Sequence, residues 1–122
     1  MISKFRPETE FYTDERCCIV EVHNRVEDEA CSIARARVAP GVTTQLHFLQ
    51  GTHERYVILE GEGSVQVGDA APAQVRPLDV VAIAAGTPQR ITNVGTADLV
   101  FLCICTPRFR KETYLNLESD GR

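Results

Sequence analysis

The residues with the clearest chemical potential lie between residues 40 and 68. This stretch holds His47 and His53, two of the three histidines of the chain, together with Glu54. Imidazole nitrogens and carboxylate oxygens can bind a metal ion or a small polar molecule. His47 and Glu54 lie in two neighbouring β-type segments, where the two-residue period decides which side chains face inward. The stretch therefore predicts a site, although it does not name a substrate.

Short apolar segments and turn residues before and after this stretch predict further strands. We expect strands at residues 17–23, 31–38, 42–49, 54–59, 64–67, 79–84, 89–93 and 99–105, and a loop at 70–76 that leads into an edge strand. No segment of helical periodicity occurs before residue 108. Such a series of short strands indicates an all-β sandwich or barrel. Two glycine-closed hairpin units, 41–68 and 78–105, favour a jelly roll.

The length and composition indicate one domain spanning residues 1–122. We expect a core at about 15–106, an N-terminal arm at 1–13 and a C-terminal tail at 107–122 that forms a short helix or packs on a partner. The net charge is −4 without a basic stripe, which argues against nucleic acid as a partner. No apolar run approaches a membrane span, and the charged N-terminus does not resemble a signal peptide. The expected location is the cytoplasm.

Five cysteines, Cys17, Cys18, Cys31, Cys103 and Cys105, occur without a zinc-type spacing. An odd number without a secretory signal favours reduced thiols over a disulfide framework. Cys103 and Cys105 alternate within an apolar run, where a cysteine usually acts as a small buried hydrophobe.

The spacing of the stretch resembles the first motif of the cupin family. Gly41, His47, Glu54 and Gly61 stand at the positions where that motif has glycine, histidine, glutamate and glycine. The second histidine of the motif is replaced by Leu49. The resemblance includes the sequence YVILEGEG that follows, and it covers about residues 30–106 together with a second motif.

The second cupin motif is similar to the sequence that begins at Leu78-Asp79. Ala84 replaces the usual proline, Gly86 is retained, and Asn93 closes the motif. Gln89 occupies the position of the histidine. The resemblance implies a small single-domain protein with a double-stranded β-helix, a jelly-roll barrel, and a cavity at one end.

In the family, histidines and a glutamate at these motif positions hold a divalent metal. Carried over to this sequence, the resemblance implies His47, Glu54 and Gln89 as three ligands, whereas Leu49 cannot bind. Zn, Mn, Fe and Ni all suit such nitrogen and oxygen donors. The alternative is a barrel that has lost its metal, in which His47 forms a hydrogen bond with Glu54 or Gln89.

Strand periodicity extends the predicted site to the walls of the cavity. Residues two positions apart share a face, so the neighbours of His47, Glu54 and Gln89 on the same faces should line the cavity. The expected lining residues are Gln45, Leu49, Tyr56, Ile58, Ile91 and, on the last strand, Cys103.

Three functions are compatible with this site. The first is a metal-dependent enzyme that acts on a small organic molecule, with Glu54 as a general base if it does not bind the metal. The second is a non-catalytic protein that binds or senses a small ligand. The third is a scaffold whose arm and tail mediate dimer formation. A homodimer is expected in any case, because exposed sheet edges need covering.

Overall fold

The fold consists of two antiparallel β-sheets. The structure is a computed structural model that describes residues 1–118. Short 3₁₀ helices occur at Pro7–Thr9 and Lys111–Thr113, and residues 1–118 contain no α-helix. The strands are β1 (Phe11–Tyr12), β2 (Cys18–His23), β3 (Ser32–Val38), β4 (His47–Leu49), β5 (His53–Glu60), β6 (Gly63–Val67), β7 (Ala73–Val75), β8 (Val80–Ile83), β9 (Gln89–Asn93), β10 (Leu99–Thr106) and β11 (Tyr114–Asn116).

The strand order confirms the predicted all-β jelly roll. One sheet has six strands in the order β1-β2-β3-β10-β5-β8, and the other has five in the order β11-β4-β9-β6-β7. Strands that are distant in sequence are neighbours in both sheets, because the chain crosses repeatedly from one sheet to the other. This winding is that of a double-stranded β-helix. No helix within residues 1–118 has the length and apolar character needed to cross a membrane.

Alternate residues of the strands form the core between the two sheets. Along β5, Glu54, Tyr56 and Ile58 are buried, while the residues between them are more exposed. Along β9, Gln89 and Ile91 are buried in the same alternating way. Ile58, Ile91 and Leu99 are completely inaccessible and belong to one apolar cluster. The two-residue period thus brings both the apolar core and the polar motif residues to the inside.

The strand expected at residues 42–49 is shorter in the structure. Only His47–Leu49 forms β4, and residues 42–46 follow an irregular path. Thr44 bonds to the backbone of Ile91 through both its N–H and its hydroxyl, whereas the N–H of Gln45 bonds to the carbonyl of Glu15. Consecutive residues thus bond to different segments of the chain, so residues 42–46 do not form the continuous hydrogen bonds of a β-strand.

The C-terminal tail packs on its own chain. Tyr114–Asn116 pairs with β4, and the N–H of Leu117 bonds to the carbonyl of Leu46. The Glu118 carboxylate accepts bonds from the Leu46 N–H and from Arg16. The tail therefore contains the short 3₁₀ helix Lys111–Thr113 and then covers the edge of β4 of its own chain. The part of the tail at residues 119–122 lies outside the described residues.

Substitution of Gly61 by alanine should destabilise the fold more than the same change at Gly41. Both glycines have positive φ, +86° and +79°, so alanine costs roughly 1–2 kcal/mol of backbone strain at either position. At Gly61 a Cβ would also lie 2.6 Å from the Asp98 carbonyl oxygen, whereas nothing lies within 4 Å at Gly41. We expect a loss of roughly 2–5 kcal/mol for Gly61→Ala, measured by urea unfolding. Equal losses for the two variants would contradict this packing.

Candidate active site

A cavity of about 990 Å³ opens on the inner face of the six-stranded sheet. Small side chains make room for it: Ser32, Ala34 and Ala36 face inward from β3, and Cys103 and Cys105 face inward from β10. The residues before β2 and after β10 complete its walls. The cavity is therefore built from the barrel together with segments from both ends of the chain.

Glu54 is a buried carboxyl group in the wall of this cavity. Only 7% of its surface is exposed. Its Oε2 accepts a weak bond from the Cys105 thiol at 3.7 Å, and its Oε1 is inaccessible to solvent and forms no hydrogen bond of standard geometry within residues 1–118. Burial raises the pKa of Glu54 to about 7, although bonds from Gln89 and the neighbouring thiols oppose this shift. Near neutral pH, both the acid and the carboxylate are therefore populated.

His47 is held in one defined form on the opposite sheet. Its Nδ1 lies 2.7 Å from the carbonyl oxygen of Gln45, which can only accept, so Nδ1 carries the proton. Its ring stacks on Tyr114 with centroids 4.5 Å apart. Burial lowers the pKa of His47, so the imidazole is neutral at neutral pH. The unprotonated Nε2 is left as an acceptor in the wall of the cavity.

Gln89 lies behind the cavity wall. It is 1% exposed, and its carbonyl oxygen accepts a hydrogen bond from the hydroxyl of Tyr56. The Tyr56 ring packs against Phe101 with centroids 4.6 Å apart. The oxygen that would bind a metal is thus already used, and Gln89 does not line the cavity.

The donors present do not fit the metal ion that the cupin motifs imply. Within residues 1–118, no three histidine, cysteine, aspartate or glutamate side chains converge on a position where they could hold a metal. Leu49 supplies no donor, and Gln89 is bonded to Tyr56. His47 and Glu54 alone leave the coordination of a Zn or Mn ion incomplete.

The structure places four of the six expected lining residues in the cavity wall, Gln45, Leu49, Tyr56 and Cys103. The expectation for Ile58 and Ile91 requires correction. Both are completely buried in the apolar cluster and do not line the cavity. Beside these residues, the side chains of Ile91 and Leu99 pack against Gly63. A Cβ at Gly63 would lie only 3.1 and 3.2 Å from them, so the missing side chain allows this close packing. The cavity therefore ends one inward residue earlier than periodicity suggested.

Two cavity residues carry no sequence signal. Glu15 lies between β1 and β2, and both burial and the charge of Glu54 raise its pKa to about 7. Tyr114 belongs to β11, and its hydroxyl donates to the Gln45 side-chain oxygen at 2.7 Å. Neither residue belongs to a motif, and only the course of the two chain ends brings them to the cavity.

Comparison with known proteins gives the family of this fold. The family model for the cupin domain matches residues 34–105, which is more than half of the chain. The chain therefore belongs to the cupin family. It is 36% identical over 81 residues to an uncharacterised protein of Methanocaldococcus jannaschii, a match that covers 66% of this chain and 64% of that protein.

Two further similarities involve Thermotoga maritima. The chain is 33% identical over 79 residues to its oxalate-binding protein, covering 65% of this chain and 64% of the relative. The match thus spans less than two thirds of either curated relative. The crystal structure of a predicted oxalate decarboxylase superposes with a TM-score of 0.77 and 23% identity, covering 88% of this chain and 99% of the other. At that identity, the superposition supports the fold alone.

Removal of the Glu54 charge should make the fold more stable above neutral pH. The pKa of Glu54 is about 7 in the fold and about 4.5 when exposed, so the folded state holds the proton more tightly. Stability then falls as pH rises from about 4.5 to about 7, by on the order of 3 kcal/mol for this group. Glu54→Gln should flatten this fall, as measured by urea unfolding from pH 4.5 to pH 8.

The matched control is Glu60→Gln, which removes the same charge from an exposed position on the same strand. It should leave the pH profile unchanged. The pKa of Glu15 is also raised to about 7, so this residue likewise lowers the stability as the pH rises. Because both variants keep Glu15, part of the pH dependence of the unfolding free energy persists. Parallel profiles for wild type and Glu54→Gln would contradict the raised pKa of Glu54.

Proposed function

We propose that this cupin is an enzyme that binds a small organic molecule in its cavity and uses Glu54 to transfer a proton to or from it. The observation that carries the proposal is a carboxyl group that is 7% exposed, lines a cavity of about 990 Å³ and has no basic side chain bonded to it within residues 1–118. A ligand in the cavity would lie beside this carboxyl group, in surroundings that contain little water.

The surroundings of Glu54 suit acid–base chemistry. General acid–base catalysis is most efficient when the pKa of the catalytic group lies near the working pH, and burial brings the pKa of Glu54 to about 7. The neutral His47 offers Nε2 as a second acceptor in the same cavity. Tyr114, stacked on this ring, and Gln45, bonded to its Nδ1, fix its orientation. The two groups can thus approach a ligand from opposite sheets.

The proposed reaction does not use a metal. A cupin metal ion would polarise a carbonyl or hydroxyl group of the substrate. Here the ligand positions expected for it hold Leu49 and the already bonded Gln89. Proton transfer by Glu54 requires neither of these positions.

The homodimer remains a prediction. No strand within residues 1–118 pairs with the outer edge of β1 or of β8. Tyr12 and Val80 on these strands are 69% and 62% exposed. A second copy covering one of these edges would shield both apolar side chains and unpaired backbone groups.

The enzymatic proposal predicts metal-independent turnover that depends on Glu54. Chelator-treated protein should convert at least one compound in pools of small polar metabolites, as followed by mass spectrometry. Glu54→Gln should lower the rate by roughly 100-fold or more, because an amide cannot exchange a proton at this position. Glu60→Gln should retain wild-type turnover. Binding of a pool component without any conversion would instead support the non-catalytic ligand-binding function.

The metal test compares the natural cavity with a reconstructed donor set. Zn²⁺ or Ni²⁺ should leave the melting temperature of the wild type unchanged. The double variant Leu49→His, Gln89→His restores histidine at both family positions and should melt at a higher temperature with metal than without it. Stoichiometric metal in the wild-type protein, lost in His47→Ala, would contradict the metal-free site and favour a metal-dependent cupin.

A further inference from the structure

A second group of polar side chains lies outside the cavity, where three segments of the chain meet. The hydroxyl oxygen of Ser3 lies 2.6 Å from Nδ1 of His23, and Nε2 of His23 lies 2.8 Å from Oδ2 of Asp28. None of these three residues lines the cavity that contains Glu54. A serine, a histidine and a carboxylate joined in this order by hydrogen bonds form the arrangement that makes a hydroxyl group nucleophilic.

An irregularity at the end of β2 directs His23 away from the cavity. Residues two positions apart on a strand share a face, so regular pairing would place His23 beside Glu21 in the cavity wall. Between Glu21 and His23, however, the chain advances two residues in β2 but only one in β3. Such a β-bulge redirects the side chain that follows it. The imidazole of His23 is therefore available to residues outside the cavity.

The two partners of His23 come from segments that precede and follow it in sequence. Asp28 belongs to a tight turn, in which its N–H bonds to the carbonyl three residues earlier at 3.0 Å. Ser3 belongs to the segment before the first 3₁₀ helix. This segment is also held by Phe5, because the guanidinium of Arg35 lies 4.7 Å from the centre of its ring. The turn and the segment thus place a carboxylate and a hydroxyl group at opposite nitrogens of one imidazole.

The partners of His23 determine which of its nitrogens carries the proton. The ionised carboxylate of Asp28 can only accept, so in the neutral ring Nε2 is protonated and Nδ1 is an acceptor. The hydroxyl of Ser3 then donates to Nδ1. In this state the imidazole can remove the serine proton, while the carboxylate orients the ring and stabilises the imidazolium that forms. The two nitrogens are exchanged relative to a serine protease, but each has the required role.

We propose that Ser3 is the nucleophile of an acyl-transfer site, with His23 as its general base and Asp28 as a positioning residue. The substrate class is a small ester with a good leaving group. The oxygen of Ser3 attacks the ester carbonyl while the serine proton passes to Nδ1 of His23. The bond to the leaving oxygen then breaks, this oxygen takes up the proton, and Ser3 is left acylated. Water attacks the acyl group in the same way, and His23 returns the proton of that water to Ser3.

The site is open to a small molecule. Ser3, His23 and Asp28 are all half-buried, so an ester can reach the hydroxyl group without entering the barrel. Apolar side chains are exposed on the same segments, since Ile2 precedes Ser3 and Val26 lies in the turn that leads to Asp28. These side chains suit an ester with an apolar body. The proposal is therefore independent of the function proposed for the cavity.

The test uses p-nitrophenyl acetate, whose cleavage is followed by the absorbance of p-nitrophenolate. Peptide mapping by mass spectrometry should locate an acetyl group on Ser3. Ser3→Ala and His23→Gln should each lower the rate, after correction for spontaneous hydrolysis, by roughly 100-fold. The matched controls Ser64→Ala and His53→Gln change a serine and a histidine elsewhere on the barrel and should retain the wild-type rate.

The positioning role of Asp28 is tested by two further variants. In Asp28→Asn an amide replaces the carboxylate, so it no longer stabilises the imidazolium. This variant should react roughly tenfold more slowly or less at an unchanged melting temperature, and Asp28→Glu should restore part of the rate. A purely structural role of Asp28 would not produce this loss and recovery.

Absence of an acetyl group from Ser3, together with an unchanged rate in Ser3→Ala, would overturn the proposal. The hydroxyl group would then only tether the N-terminal segment. A rate that depends on His23 but not on Ser3 would overturn it as well, because the imidazole would then react directly with the ester. Acetylation confined to Lys4 or to the N-terminal amine has the same meaning, since amines react with such esters without a general base.

Discussion

The desolvation of Glu54 is the interaction on which the chemistry of this protein depends. A carboxyl group buried without a counter-charge is costly in its ionised form, so its pKa moves toward neutrality. The fold maintains this condition by placing Glu54 between β10 and β8 in the six-stranded sheet, beside thiols rather than basic groups. The buried carboxyl group lowers the stability of the fold when it is ionised, but it can change its protonation state near pH 7.

The cavity that exposes this group is a consequence of residue size. β3 contributes Ser32, Ala34 and Ala36 to the inner face, and β10 contributes two cysteines. Two residues further along the strands, Ile58, Ile91 and Leu99 fill the space completely. The same barrel therefore has an open polar end and a closed apolar end, and the change occurs within one period of the strands.

Much of this arrangement was predictable from the sequence. Alternation placed Glu54, Tyr56 and Ile58 on one inner face, because each strand has only two faces and one of them must be buried. The motif spacing correctly indicated the jelly roll. Periodicity could not show where the cavity ends, which depends on side chains from several strands meeting in space. For this reason periodicity predicts Ile58 and Ile91 in the wall of the cavity, although they belong to the closed core.

The contacts of individual polar groups were also beyond the sequence. Gln89 stands at the position of a metal ligand, but its oxygen is bonded to Tyr56, a residue of the other sheet. Glu15 lies in a polar turn that resembles any solvated loop. It reaches the cavity because its carbonyl accepts the N–H of Gln45. Such relations arise from pairing between distant segments and leave no local pattern.

The contribution of both chain ends to the cavity has a consequence for how cupins diverge. Residues 34–105 match the cupin family model, yet Glu15 and Tyr114, which line the cavity, lie outside that range. In this protein, segments outside the range that matches the family model therefore contribute to the charge and shape of the cavity. Two members with closely similar barrels can hold different ligands if their ends differ. Membership of the cupin family, when it is assigned from the barrel alone, therefore predicts the fold around the cavity. It does not predict which ligand the cavity selects, because that also depends on the flanking segments.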